Sequence, residues 1–431
     1  MLSLPFLGCR PQGTIGAWKT GLMHPLVEGH RAKRESEALW MSVSLRLKPG
    51  RHRALQGCPW VFRGELLHHD PPPTADVEIL DADGRMLGRG LYSPTSAIAV
   101  RMMAFGRGEL QLHDLVRRRV RAAVRARESL QTVRTGLRLV NAEADGLPGL
   151  VVDRYGPMLV MEVTFRPMAD LIPVVVEELK TLPGIAGIYE RGQLSARRHE
   201  ALPLEDRLVW GELENPVTVD EYGLLFQVDL VEGQKTGHYL DQAENRQAVA
   251  AYTPGRRVLD VFAHTGGFGL QALRAGASHV TAVDSEAGAL RQALANAATN
   301  KLSDRFEVQE ANAFDWLREK SRETPAYDVV ILDPPAFTKS RTAVEGALRG
   351  YKEINLRAAR MLSPGGILVT CSCSYHVDLD AFTAVVGAAM HDAHRDARLL
   401  DVRGQPADHG SHPLLPESRY LKCLILEMSG S

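Results

Sequence analysis

Cysteine is scarce in this chain of 431 residues, with five thiols at positions 9, 58, 371, 373 and 423. They show neither zinc spacing nor a disulfide framework, so no metal site is expected and the compartment reads as reducing. No apolar run approaches the ~18 residues needed to span a bilayer. The N-terminus lacks the basic, apolar and small-residue succession of a secretory signal. A cytoplasmic protein without a membrane partner is expected. Internal repeats and low-complexity stretches are absent too. Net charge is nearly absent, at a formal −1, which excludes a global polycation. What is present is enough chain for two or three domains of roughly 100–200 residues each.

The charge is unevenly spread. Residues 41–130 carry an excess of roughly six positive charges, and 131–431 an excess of roughly nine negative. A basic module joined to an acidic one would give RNA a docking surface. The run Arg117-Arg118-Arg119-Val-Arg121 is equally readable as a solvated helix face. Residues 1–40 show no sustained period and read as a poorly ordered extension, or as sequence upstream of a true start at Met41. Alternation begins with Val43-Ser-Leu45-Arg-Leu47, and turns at Lys48-Pro-Gly50, Asp70-Pro-Pro-Pro73 and Asp81-Ala-Asp-Gly84 divide a β-rich module. Helical spacing predicts a helix over about 112–130 and another over 168–181. Strands flank Asp145-Gly-Leu-Pro-Gly149, and a hairpin turns at Glu221-Tyr-Gly223. From about 245 onward strands at 257–262, 279–283, 306–309, 329–332 and 366–370 alternate with helices. That alternation predicts an α/β fold with a parallel, doubly wound sheet that binds ligands beyond the carboxyl ends of its strands.

Three motifs fall at such ends. In Val258-Leu-Asp260-Val-Phe262-Ala-His-Thr265-Gly266-Gly267-Phe268 a strand passes through a tight turn into a helix, letting backbone approach a ligand closely. The turn is not Gly-x-Gly-x-x-Gly, which argues against NAD. The next strand ends in Asp284, an acid able to accept both hydroxyls of a ribose. Asn312 could meet an adenine edge with Phe314 on the ring, although alone these are more often a turn residue and a core aromatic. In sequence order Asp260, Gly266, Asp284, Asn312 and Asp333 follow the arrangement of Rossmann-like S-adenosylmethionine-dependent methyltransferases.

Asp333-Pro334-Pro335-Ala-Phe337 makes a rigid turn whose carboxylate could bond the N3 and amine edge of cytosine. Cys373 follows a buried strand in Ser372-Cys373-Ser374. A thiolate adding to C6 of a cytosine turns C5 into a nucleophile, so Cys373 is the candidate nucleophile, and a small residue filling a strand end is the plain alternative. Cys371, two residues earlier, lies deeper on the same face. His376 is a candidate acceptor of the thiol proton.

The chain resembles the bacterial ribosomal-RNA large-subunit methyltransferases that make 5-methylcytosine. The resemblance runs from residue 43 to the end. It rests on Pro59-Trp60-Val61-Phe62, Tyr92-Ser-Pro94, Arg138-Leu139-Val140-x-x-Glu143-x-Asp145-Gly146-Leu147-Pro148-Gly149 and Gly233-Gln234-Lys235-Thr236-Gly237-x-Tyr239-Leu240-Asp241-Gln242-x-x-Asn245-Arg246. Thr265-Gly266-Gly267-Phe268, the Asp333 turn, Gly350-Tyr351-Lys352-x-Ile354-Asn355, Ser372-Cys373-Ser374 and Gly404-Gln405-Pro406-x-Asp408-His409 complete it. It implies an extension at 1–41, a PUA-like RNA-binding domain at 42–118, a central α/β domain at 119–215 and a Rossmann-like methyltransferase domain at 216–431. The implied activity is methyl transfer from S-adenosylmethionine to C5 of a cytosine in large-subunit rRNA, with Cys373 and Asp333 catalytic. N-methylation of an RNA base and a non-catalytic rRNA-binding assembly role are the alternatives. Cofactor contacts are expected from Gln234, Tyr239, Asp260, Phe262, Thr265, Gly266, Gly267, Asp284, Ser285, Asn312, Ala313, Phe314 and Asp333. RNA contacts are expected from Lys48, Arg51, Trp60, Arg63, Lys235 and Arg246, and a homodimer is a further expectation. One departure stands out. Many RNA cytosine methyltransferases carry a second cysteine in the proline turn, and 333–337 holds none.

Overall fold

A computed structural model describes residues 43–50, 52–67, 76–108, 111–233, 235–338 and 340–429. The expected N-terminal extension, the turn at 70–73, Arg51 and Gln234 lie outside the described residues. The first sheet holds β1 (Val43–Arg46), β2 (Trp60–Phe62), β3 (Asp76–Leu80), β4 (Met86–Tyr92) and β5 (Ile98–Phe105) in the order β1-β3-β4-β5-β2. Alternate residues of each strand point inward, so Leu45, Leu47, Val77, Ile79 and Val100 close a small core.

Helix α1 (Leu112–Arg125) follows. Its stripe of Leu112, Val116, Val120 and Ala123 belongs to the core of the second sheet, and the division expected at 118/119 falls within this helix. The helix is shorter than its periodicity predicts. Arg127 turns inward just after it, bonding the Ala123 carbonyl at 3.2 Å and both oxygens of Asp145. The second sheet runs β10-β9-β8-β7-β6, from β6 (Gly136–Asn141), β7 (Leu150–Tyr155), β8 (Met158–Val163), β9 (Gly187–Arg191) and β10 (Arg207–Gly211). The helix expected at 168–181 is two pieces, α2 (Arg166–Ala169) and α3 (Ile172–Leu179). Pro173 explains the break, because it lacks an N–H and its ring excludes the carbonyl four residues back.

The hairpin of β11 (Val217–Glu221) and β12 (Leu224–Val228) turns on Tyr222 and Gly223, both at positive φ. A two-residue turn with both centres left-handed matches the twist of paired strands. Beyond α4 (Ala243–Ala250) the chain builds a seven-stranded sheet in the order β15-β14-β13-β16-β17-β19-β18. Its strands are β13 (Arg257–Val261), β14 (His279–Asp284), β15 (Phe306–Glu310), β16 (Tyr327–Leu332), β17 (Leu362–Ser372), β18 (Ala397–Arg403) and β19 (Lys422–Met428). Pairs among β13 to β17 are parallel, and β19 runs antiparallel to β17 and β18. Helices α5 (Gly267–Arg274), α6 (Ala287–Thr299), α7 (Ala313–Lys320), α8 (Val344–Met361) and α9 (Leu379–Asp392) connect the strands. Two apolar cores, one on each face, fix the sheet and bring the ends of β13, β14, β16 and β17 to one rim.

Buried charges join the second sheet to the C-terminal loop. Arg134 is wholly buried and lies 3.0 Å from Asp408, whose other oxygen accepts the Arg138 backbone N–H at 3.0 Å. Among the described residues no helix is long and apolar enough to cross a membrane, and no cluster of His, Cys, Asp and Glu is arranged to hold a metal ion.

Candidate active site

The turn after β13 is built under strain. Phe262 (φ 64°) and His264 (φ 49°) occupy the left-handed region, costly for side chains that are not glycine. Two backbone bonds to the Val283 carbonyl, from Phe262 and Ala263, hold the turn against β14. Gly266 (φ 83°) then opens α5. Asp260 lies beneath the turn, where one oxygen accepts the Gly269 N–H at 2.9 Å and the other has no hydrogen-bond partner. Asp284 stands at the end of β14 with its carboxylate fixed by the N–H groups of His264 (2.8 Å) and Glu286 (3.0 Å).

A cavity of about 500 Å³ opens over these strand ends. Tyr239, Phe262, Thr265, Gly267, Asp284, Ser285, Asn312, Ala313, Phe314, Asp333 and Cys373 all line it, together with Lys235 and Arg246. Asp260 and Gly266, expected as cofactor contacts, are not among its lining residues. Asp260 orients the turn from below, and a side chain at Gly266 would point at Phe306, Ala293 and Leu270 instead. Asn312 spends its side-chain oxygen capping α7, accepting from Phe314 and Asp315 N–H groups.

Cys373 and Asp333 meet here from adjacent strands. The Cys373 thiol lies 4.0 Å from the Pro334 carbonyl. On either side of it, Ser372 and Ser374 hydroxyls each bond the Tyr351 hydroxyl at 2.9 Å, and Ser374 Oγ accepts the Phe337 N–H at 3.1 Å. One tyrosine of α8 thereby ties the nucleophile turn to the proline turn. Asp333 accepts from Gln242 Nε2 at 2.8 Å, and Gln242 is held by Asn245 at 2.7 Å. Tyr351 and Gln242 stand in sequence motifs, but nothing in their residue type announced a bracing role. His376 does not line this cavity; it faces the next one. Cys371 is fully buried opposite Cys423 of β19.

Several ionisable groups in and beneath the cavity are pushed toward their neutral forms, while, against their burial, Asp241 and Arg246 of its lining are held charged by Lys235 and Glu221. Burial, with the Asp333 charge adding to it, lifts the Cys373 thiol to about 11, while Lys235 and Lys422 oppose the rise. Burial and Asp241 lift Asp333 to about 6. Burial lifts Asp260 to about 7 and lowers His264 to about 4.

The chain is 41 % identical over 394 residues to the ribosomal RNA large subunit methyltransferase I of Shewanella denitrificans, covering 89 % of this chain and 99 % of that protein. The enzyme of the same name from Photobacterium profundum is 41 % identical over 391 residues, covering 89 % and 98 %. The chain belongs to the ribosomal RNA large subunit methyltransferase I family. As a member of it, the chain matches the S-adenosylmethionine-dependent methyltransferase family over residues 160–399 and a PUA-like domain over residues 45–105. The fold is shared with a Streptococcus mutans protein described as an S-adenosylmethionine-dependent methyltransferase (TM-score 0.76, 19 % identity, 89 % of this chain and 100 % of that one).

The cavity of this large-subunit methyltransferase family member suits S-adenosylmethionine by its donor set. Asp284 offers an oriented carboxylate for ribose hydroxyls, Phe314 a flat apolar surface and Asp333 an acid for a cationic centre, while His264, held neutral, adds no opposing charge. Several residues expected to touch RNA do other work. Arg246 is buried and bonds both oxygens of Glu221. Arg63 donates to the Ser93 and Ser96 carbonyls and to Tyr92, and Trp60 donates to Glu143 across the joint between the first two sheets. Lys235 lies in the cavity, 2.6 Å from Asp241 and 4.2 Å from the Tyr239 ring centroid. Lys48 stays exposed, with its amine on the Gly64 carbonyl.

Proposed function

We propose that this protein methylates C5 of a cytosine in large-subunit rRNA through a covalent bond between Cys373 and C6. The observation that carries the reading is the placement of Cys373 and Asp333 in one cavity with Asp284, nucleophile and cofactor acids on one rim. Cytosine C5 is too weak a nucleophile to take a methyl group unaided. The Cys373 thiolate adds to C6, and the electron pair of the C5–C6 bond becomes available at C5. Asp333, raised to about 6, is able to share a proton with N3 and draw electrons from C6 as the thiolate arrives. S-adenosylmethionine, held in this cavity, would supply C5 with an electrophilic methyl group whose leaving group is a neutral thioether. The C5 proton then passes to solvent, restoring the C5–C6 double bond as the C6–sulfur bond breaks and returns its electron pair to the Cys373 thiolate. Asp284, Ser285, Phe262 and Phe314 are proposed to hold the cofactor, with Tyr239 beside it.

The competing reading, methylation of a ring or exocyclic nitrogen, uses the Asp333 turn but has no need of a thiol. Cys373→Ala decides between them. Tritium transfer from labelled S-adenosylmethionine to transcribed large-subunit rRNA should vanish in this variant, and bisulfite mapping should find no protected cytosine. Full transfer by Cys373→Ala would sink the C5 mechanism.

A further inference from the structure

A second cleft, of about 820 Å³, lies beside the reacting cavity, and Leu421 lines both. Its wall is the chain that follows the nucleophile: Tyr375 and His376 succeed Ser374 directly. Tyr375 is 49 % exposed, and its ring meets His376 edge-on at 4.8 Å. Arg419 faces it from the C-terminal loop and has no ion-pair partner among the described residues. The acids of this cleft are already engaged. Glu417 bonds Arg53 of the first module at 2.8 Å, and Asp378 caps α9 through the Ala381 N–H at 2.8 Å. Lys422 forms part of the lining, with its amine held by the Ser374 and Tyr420 carbonyls at 2.8 Å.

We infer that this cleft is a nucleotide subsite, taking the residue next to the modified base on the same RNA strand. The inference rests on the RNA-methylation reading above and extends it to the strand flanking the base. A base cannot present C5 and C6 to a thiol from within a helical stack, so it must be drawn out, and its neighbour loses a stacking partner. An exposed aromatic ring one pocket away replaces that partner, and an unpaired arginine meets the phosphate between the two residues. The cleft combines these two features and shares Leu421 with the Cys373 cavity.

Tyr375→Ala and Arg419→Ala test it, since neither side chain lines the reacting cavity. With transcribed large-subunit rRNA, Tyr375→Ala should lower kcat/KM about tenfold, the range expected for one lost stacking contact, and Tyr375→Phe should restore it. Arg419→Ala should reduce the slope of log affinity against log salt by about one. Calorimetric affinity for S-adenosylmethionine should be unchanged in all three. Wild-type kcat/KM and salt slope in both alanine variants would overturn the subsite, as would a parallel loss of cofactor affinity, the mark of a merely structural role. The C5 chemistry is tested separately. If Cys373→Ala stays active while Tyr375→Ala loses RNA, the chemical reading fails and the subsite stands.

Discussion

The reacting cavity and the joint between the second sheet and the C-terminal loop bury charge equally deeply, with opposite results. At the joint each buried acid has its counter-charge. Burial alone would raise Asp408, yet the His409 hydrogen bond and the Arg134 charge hold it down to about 2. Glu221 is likewise held well below the carboxylate range by Arg246 and His238 against its burial. In and beneath the cavity counter-charge falls short at Asp333, Cys373 and Asp260, which rise, although Asp241 of the lining is held well below the carboxylate range by Lys235 against its burial; beside the cavity burial lowers Lys422 to about 8. A folded chain that leaves several charges under-compensated in one place has left room for charge brought by a ligand. The joint pairs its charges within the fold, and the shortage at Asp333 fits a cationic cofactor.

The sharpest way to break this contrast uses two cysteines two residues apart. Cys373→Ala should lower methyl transfer to rRNA by on the order of 10³-fold or more, because the nucleophile acts as a unit with its surroundings. Cys371→Ala should keep activity within about threefold, since that thiol only fills space opposite Cys423. Equal losses in tritium-transfer assays of the two variants would erase the distinction between reacting and packing sulfur.

Next in size is the joint itself. Asp408→Ala leaves Arg134 buried without its counter-charge and should cost about 3–5 kcal/mol of stability in denaturant unfolding. A loss below about 1 kcal/mol would mean that the charges at the joint are no better paired than those of the cavity. Asp333→Asn should then lower methyl transfer by on the order of 10². The same change should speed alkylation of Cys373 by iodoacetamide at pH 8, because the Asp333 carboxylate is one of the groups lifting the thiol. A variant slower in both assays would point to a disordered turn rather than to a lost charge.

The sequence carried the order of the strands and the positions of the motifs, because period and turn chemistry are local. The βα alternation after 245, the turn after β13 and the cysteine at the end of β17 were all legible on that ground. Pairing across the fold was not. Arg246 and Arg63 read as RNA contacts, yet one bonds Glu221 and the other a set of carbonyls, and no local pattern announces such partners. Asp260 stands in the glycine motif, but the direction of its carboxylate, beneath the backbone toward Gly269, was not legible there. Helix ends were missed where one residue overrides the period, Arg127 after α1 and Pro173 within the stretch at 168–181.

The smallest effect tests the contrast by its sign. Asp408 is depressed in the folded protein, so it contributes stability above its unfolded pKa of about 4, and that stability is lost as pH falls toward about 2. Asp260 is raised to about 7, so the folded state holds a proton that the unfolded chain has released by pH 4. Its contribution is therefore present in acid and lost as pH rises from about 4 to about 7. Asp260→Asn cannot titrate, and its amide oxygen can still accept the Gly269 N–H. Relative to wild type, the variant should melt at an unchanged or slightly lower temperature at pH 5 and a few degrees higher at pH 8. Asp408→Asn should give no such gain at pH 8 and should instead flatten the acid limb. If Asp260→Asn lost stability at pH 8 as Asp408→Asn does, the carboxylate under the turn would be a paired charge like those of the joint, and the cavity would have no shortage for a cationic cofactor to fill.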